Sequence, residues 1–521
     1  MSIVTEMSSY LGLGASGLVA PVLAGAKLGH DSYRYLYYRE KRKKDEKLLK
    51  NRAIPLSSAS ELKNRVYNYK NRMKRKKELL KNDALLMLPV LGTIAHTHRS
   101  SVKKGLSISK KLIEAAASAL GDFGQCYKRL ACYPGSCDEK GKFNKRIQAY
   151  HNWKLSLRTK WTDLFSASEK KIPVINGEGK EIRSLDSIFI PASPNGIFQF
   201  ESSKPIMVFF HGNAGSADTS IPNSLICRSL GIDSILISMG GYMGSRGGPT
   251  SELSTYQDVG AVMAHLQEEQ REKIGVWGFS MGGSLACCAA AYFSDKEEKQ
   301  RNRSGGVSCL IADQTFNNFL GVAKRIYPKY KNAIDILFKS FFPEEKIWTN
   351  GKVIDADSLD NASKCKKSKK HKVNSLFIHS FSDEMMAHPT LENLCMDLFR
   401  ARYGENTPKK LQKRKIIGIK GTHGALISAQ IPYKQKEGNY LLKHLHESGL
   451  IPAFPNRKQR EEFYQMLHKD WHEWKKASSE TPFEIRELDY FKPALRKLIS
   501  LSLRVKSTFT KKTQELSTRK K

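Results

Sequence analysis

The chain is 521 residues long with a formal net charge of +36 and nine cysteines. The length exceeds what one catalytic domain needs, and an odd, sparse set of cysteines excludes a small disulfide-stapled secreted fold and fits a reducing compartment. The charge is segregated, with 23 Lys and Arg against 8 Asp and Glu in residues 1–110, 17 against 9 in residues 451–521, but only 8 against 11 in residues 205–315. The basic character therefore belongs to the ends, and residues 205–315 are slightly acidic.

From the N-terminus, Tyr10 to Ala26 is apolar and glycine-rich, and Arg39 to Lys44 follow it; a second apolar patch runs from Ala84 to Leu91. Both are short for a bilayer span, so a peripheral or weakly inserting segment is as good a reading as a spanning one. A solvated helix face accounts equally for Arg39–Lys50 and Arg72–Lys81. Glu6 is the only charged side chain before the first apolar stretch, which does not make a secretory signal. A segregated basic excess attracts polyanions. With no zinc-ligand spacing, RNA-binding aromatic signature or helix-turn-helix, an anionic membrane face is the expected partner rather than nucleic acid.

Ile188–Ile190 and Gly196–Phe200 suggest a leading antiparallel pair of strands. Pro205–Phe210 then reads as a fully buried strand that runs into His211-Gly212-Asn213-Ala214-Gly215-Ser216. Small residues there let backbone N–H groups face a bound oxygen, so Gly212, Asn213 or Ala214 is a candidate oxyanion donor. After a strand at Ile235–Ile237, the apolar run Ile274–Trp277 leads into Gly278-Phe279-Ser280-Met281-Gly282 and the small-residue helical stretch Gly283–Ala291. That is the strand, sharp turn and helix of a nucleophile elbow, which would expose the Ser280 hydroxyl and offer the Met281 N–H as the other oxyanion donor.

A nucleophilic serine needs a base and a carboxylate to orient it. Val307–Ala312 is a further strand ending at Asp313. Asn374–His379 is another, followed by Asp383 and Glu384, and Arg414–Ile419 precedes Gly421-Thr422-His423-Gly424. His423 is the candidate base and Asp383 the candidate acid, with Asp313 as the alternative acid and Glu384 a lesser one. His379 is read as a strand cap, and His388 lies in the next segment. Between Asp313 and Ser375 lies a stretch too long for a plain crossover. Phe319–Tyr327 and Ala333–Phe342 look helical, and a small cap at about 314–372 is expected, with Lys364–Lys372 as a solvated basic loop. Cys287 and Cys288 would pack behind the elbow.

These residues resemble the α/β-hydrolase superfamily, in particular the ABHD-like branch with an HGN oxyanion loop and a GFSMGG elbow, together with its bacterial relatives. The segment Gly241-Tyr242, Ser245, Gly247, Pro249, Ser251-Glu252, Tyr256 and Asp258 resembles that branch as well. Gly240 stands where the family often carries an arginine, a departure that bears on a salt bridge supporting the loop. The resemblance covers roughly residues 185–435. It implies an α/β-hydrolase fold, a mostly parallel sheet with helices on both faces and a small helical cap, to which basic helical N- and C-terminal extensions are joined.

The expected organisation is a basic, largely helical region at 1–170, a catalytic domain at 171–440 and a basic helical extension at 441–521. The expected activity is hydrolysis of acyl esters or thioesters, lipid esters included, by Ser280, Asp383 and His423 at a membrane surface, with no cofactor and no metal. A peptidase or acyltransferase using the same residues, or a catalytically silent scaffold that binds membrane or a partner, are the alternatives. The expected location is cytoplasmic or membrane-associated; delivery of a bacterial protein into a host cell would also fit.

Overall fold

The computed structural model describes residues 145–478, except 177, 201–204, 214, 246–249, 301–304, 327–344, 350–351, 357–359 and 387–393, together with isolated positions between 133 and 142. All belong to one compact unit, Lys128–Phe338 with Phe342–Lys497. Tyr10–Ala26, the basic runs before residue 100, Ala84–Leu91, Ala333–Phe342, Ala214, Gly247, Pro249, His388 and residues 479–521 of the basic C-terminal extension lie outside the described residues.

Strands β1 (Ser168–Ile175), β2 (Glu181–Ile190), β3 (Ile206–Phe210), β4 (Asp233–Ile237), β5 (Lys273–Phe279), β6 (Gly306–Asp313), β9 (Asn374–Ser380) and β10 (Ile416–Ile419) form one sheet in the order β1-β2-β4-β3-β5-β6-β9-β10. The pairs β1/β2 and β2/β4 are antiparallel and all the others are parallel. β7 (Glu345–Thr349) and β8 (Lys352–Ala356) make a separate hairpin. Every residue of β3 and β4 is buried, as expected where helices cover both faces of a parallel sheet and side chains pointing either way meet apolar neighbours. This is the α/β-hydrolase fold.

On one face, α1 (Lys145–Phe165), α2 (Ile221–Leu230), α10 (Gln435–Glu447) and α11 (Arg457–Ala477) share a core with the sheet. Leu157, Trp161, Phe165, Leu225, Leu441, Leu445, Phe463 and Leu467 meet Phe209, Leu236, Trp277, Ile311, Ile378 and Ile419 there. The opposite face carries α3 (Glu252–Glu268), α4 (Gly282–Tyr292), α7 (Asn361–Lys370) and α8 (Leu394–Tyr403). Between them in the chain fall α5 (Asp295–Lys299), α6 (Phe319–Ile326) and α9 (Lys409–Lys415). Residue 170 falls inside β1 and residue 440 inside α10, so packing is continuous across both positions.

Two local expectations are corrected. Gly196–Phe200 is not a strand: Gly196 N–H closes a turn on Ser193 O (2.9 Å) and Ile197 N–H bonds Ser229 O (3.0 Å), docking the segment on the end of α2. The strand that precedes β2 and pairs with it antiparallel is β1, whose Ser168-Glu169-Lys170-Lys171 start conceals a strand because its exposed residues are mostly charged. Lys364–Lys372 is not a solvated loop either. Asp360 caps α7 by accepting the Ala362 and Ser363 N–H groups. Asn361, Lys364, Cys365 and Ser368 form a buried stripe at helical spacing, Lys364 lying 5.0 Å over the Tyr256 ring.

The strand order sets the site. The chain leaves β3 for β4 on one side and, through α3, returns to β5 on the other, so the strand order reverses between β3 and β5. At such a reversal the loops beyond the carboxyl ends diverge and leave a crevice.

Candidate active site

The turn after β5 places Ser280 at φ 51°, in the left-handed region that costs a side-chain-bearing residue free energy. Backbone packing over-determines it. A Cβ on Gly278 would stand 2.2 Å from Gly282 O, and one on Gly282 would stand 2.2 Å from Phe210 O and 2.6 Å from His211 O. The glycines therefore let the start of α4 press against the end of β3, bringing Met281 beside the His211–Gly212 loop. Met281 is the cap residue of α4, where backbone N–H groups lack intrahelical acceptors. Ser280 is further held by its N–H to Asp313 O (2.9 Å) and by Thr315 Oγ1 donating to Ser280 O (2.6 Å).

His423 Nε2 lies 3.0 Å from Ser280 Oγ, and His423 Nδ1 lies 2.9 Å from Asp383 Oδ2. A carboxylate accepts, so Nδ1 carries the proton and Nε2 is left as acceptor for the serine hydroxyl. Asp383, 1% exposed, is aligned by the Met385 and Met386 N–H groups donating to Oδ1 at 3.0 and 2.8 Å. Glu384 Oε2 accepts the His423 N–H (2.9 Å), and the Phe279 ring lies 5.1 Å from the imidazole.

Asp313 is not brought to the imidazole by any hydrogen bond. Its carboxylate accepts from Trp277 Nε1 (3.1 Å), Gln314 Nε2 (3.1 Å) and Asn223 Nδ2 (3.5 Å). Burial pushes its pKa up to about 6, partly offset by the Gln314 and Trp277 hydrogen bonds. His379 lies within β9 with its ring 5.0 Å from Phe381, and burial lowers its pKa.

The loop after β3 is fixed by a buried histidine. Met239 N–H donates to His211 Nε2 (3.1 Å), which leaves Nδ1–H to donate to Gly212 O (2.6 Å). Tyr242 OH donates to Asn213 Oδ1 (2.8 Å) and Gly215 N–H to Gly212 O (3.0 Å). Near Gly240 the ion pair is made from a different element: Arg183 of β2 lies 2.9 Å from Asp258, which also accepts the Gly240 N–H at 2.8 Å. A Cβ on Gly240 would meet Arg183 Cδ at 2.9 Å, so the glycine makes room for this cation.

Several contributors escaped the sequence reading. Gln314, at φ 46°, uses its side chain to hold the histidine loop, donating to Ala425 O and accepting the Gly424 N–H, both at 2.9 Å. Its place directly after a strand-end aspartate was the available signal. Arg158 of α1 donates to Asp218 (3.1 and 2.7 Å) and Asp186 (3.2 and 2.8 Å), both buried, and so ties α1 to the turn that follows the His211–Ser216 loop. A cavity of about 170 Å³ beside the imidazole is lined by Tyr150, Phe209, Phe210, Gly212, Trp277, Phe279, His423 and Leu426, among others. Among the described residues no group of three or more His, Cys, Asp or Glu could hold a metal ion, and no helix is long and apolar enough to cross a membrane.

Residues 205–339 match a family model described as alpha/beta hydrolase fold. Protein bem46 of Schizosaccharomyces pombe is 26% identical over 215 residues, which are 40% of this chain and 62% of that protein, so the match spans less than two thirds of the relative. Among solved structures, an alpha-beta hydrolase from Vibrio vulnificus is 16% identical with a TM-score of 0.36, covering 60% of this chain and 92% of its own. The Pyrococcus furiosus esterase Pf2001 is 15% identical with a TM-score of 0.34, covering 55% and 92%. The chain has the α/β-hydrolase fold, and the family model matches the segment that carries β3 to β6.

Proposed function

We propose that the protein is a serine hydrolase that cleaves acyl esters or thioesters, with Ser280 as nucleophile, His423 as general base and then acid, and Asp383 as the group that orients it. The observation that carries this reading is the continuous chain Ser280 Oγ···Nε2 His423 Nδ1···Oδ2 Asp383 at 3.0 and 2.9 Å, built on a serine held in a strained turn. Ser280 Oγ attacks the acyl carbonyl as its proton passes to Nε2. Asp383 stabilises the imidazolium, and the Met281 N–H with donors of the Gly212–Ala214 loop receive the negative charge that develops on the carbonyl oxygen. Collapse expels the leaving group with the proton from Nε2. Water, deprotonated by His423, then attacks the acyl-serine and releases the acid.

Asp383 is preferred to Asp313 as the orienting acid because Asp313 already serves Trp277, Gln314 and Asn223. The basic ends of the chain support docking at an anionic membrane face. A fluorophosphonate probe tests the chemistry: it should label the wild type and fail to label Ser280→Ala and His423→Ala. A folded wild type that takes no label, with or without anionic vesicles, would favour the silent scaffold.

A further inference from the structure

Helix α1 lies outside the residues matched by the family model, yet it reaches the site. Its buried positions Ile147, Tyr150, His151, Lys154, Leu157, Arg158, Trp161 and Phe165 repeat at three- and four-residue spacing and form one face against the sheet. Three of them, Tyr150, Lys154 and Arg158, are stacked at i, i+4 and i+8. Arg158 anchors the helix through Asp218 and Asp186. Lys154 Nζ lies 5.5, 5.1 and 5.0 Å from the ring centroids of Tyr150, Trp153 and Trp161 and backs the Tyr150 ring. Tyr150 therefore presents a rigid wall to the cavity, whose apolar side is completed by Phe209, Phe210, Trp277, Phe279, Ala425 and Leu426 and whose polar side carries His211, Thr219, Ser220 and Asn223.

The cavity adjoins the reacting groups, since it is lined by Gly212 and by His423, one hydrogen bond from the Ser280 hydroxyl. Its volume of about 170 Å³ is close to the ~150 Å³ of an apolar cavity that takes one benzene, and well under the ~300 Å³ at which sites for larger ligands begin. A group of roughly six carbons fills such a space; a long alkyl chain does not.

We propose that this cavity is the acyl-binding pocket, that it selects esters and thioesters of compact acyl groups of up to roughly six carbons, and that Tyr150 sets the length limit. The proposal rests on the hydrolase reading above and narrows it, because it makes esters of long-chain fatty acids poor substrates. Gly212 and His423 hold the carbonyl end, and the aromatic side of the pocket takes the hydrocarbon, while the polar side at Thr219, Ser220 and Asn223 further disfavours a long alkyl chain.

The test is a series of p-nitrophenyl esters with acyl chains of two to sixteen carbons, hydrolysed by the full-length protein as wild type, Tyr150→Ala and Tyr150→Phe. We expect wild-type kcat/KM to peak at four to six carbons and to fall at least about a hundredfold by twelve. Tyr150→Ala should raise the ratio of eight-carbon to four-carbon turnover by about tenfold, whereas Tyr150→Phe, which keeps the ring, keeps the peak where it is. An active wild type that turns over twelve- and sixteen-carbon esters as well as short ones overturns the proposal alone, and so does a folded Tyr150→Ala with an unchanged ratio. A wild type that neither labels with fluorophosphonate nor cleaves any ester overturns the hydrolase reading and the pocket assignment together. If Tyr150→Ala does not fold, the wild-type chain-length profile still decides.

Discussion

Replacing Arg158 by Met removes a guanidinium that serves two buried carboxylates while keeping the stem's apolar volume. Asp186 is left with Lys171 Nζ at 2.8 Å, itself 55% exposed, and with Ser238 Oγ at 3.4 Å. Asp218, with a fully buried side chain, is left with Ser216 Oγ at 3.3 Å and the charge of the buried Lys154, which makes no hydrogen bond to it. Breaking a buried ion pair from one side costs about 3–5 kcal/mol, because the partner charge remains desolvated. The unit contains roughly 370 residues, and at about 2.1 cal/mol/K per residue its unfolding entropy near 60 °C is about 0.8 kcal/mol/K, so Tm should fall by about 4–6 °C. Thermal unfolding followed by circular dichroism measures this. The double variant Arg158→Met with Asp218→Asn should recover part of the loss, since neutralising the more isolated carboxylate removes most of the uncompensated charge. Turnover should fall more than stability accounts for at the assay temperature, because Asp218 sits in the turn that follows the His211–Ser216 loop. An Arg158→Met protein as stable as wild type, or a double variant less stable than the single one, would refute the argument that this cluster fastens α1 to the site.

Three other outcomes are expected. Asp383→Asn should lower kcat by about 10⁴, since an amide can stabilise the wrong imidazole tautomer, whereas Asp313→Asn should stay within about tenfold of wild type if the carboxylate contact at 2.9 Å is what matters; steady-state kinetics with equal losses for both would contradict the assignment. Asp313, raised by burial to about 6, binds more protons folded than unfolded between about pH 4 and 6, so its contribution to stability declines as pH rises through that window. Urea titrations at pH 4 and pH 6.5 should show that component absent from Asp313→Asn. Gly282→Ala would drive a Cβ to 2.2 Å from Phe210 O; relief requires backbone movement, and we expect about 1–3 kcal/mol of destabilisation together with loss of fluorophosphonate labelling.

The elbow, the loop after β3, and the order of serine, aspartate and histidine were legible without coordinates because their constraints are local. A serine at φ 51° between Gly278 and Gly282, whose absent side chains leave room for neighbouring backbone, needs small residues within two positions of itself. Strands buried on both faces, such as Ile206–Phe210, read as unbroken apolar runs for an equally local reason. What tertiary structure alone decided are the positions where polar residues are buried by partners distant in sequence. The face of α1 bears His151, Lys154 and Arg158, which resemble a solvated stripe until Asp186 and Asp218, 28 and 60 residues away, supply the opposing charge. Likewise the lysine-rich α7 looks like a loop until Tyr256 lies beneath Lys364, and Arg402 donates to Cys365 O at 2.7 Å. For the acid, the sequence already favoured Asp383 over Asp313 at the same sheet edge, and what the fold adds is the 2.9 Å contact of Asp383 Oδ2 with His423 Nδ1. Burying a charge is favourable only when its partner is in place, and that partner is a property of the fold rather than of the neighbouring residues.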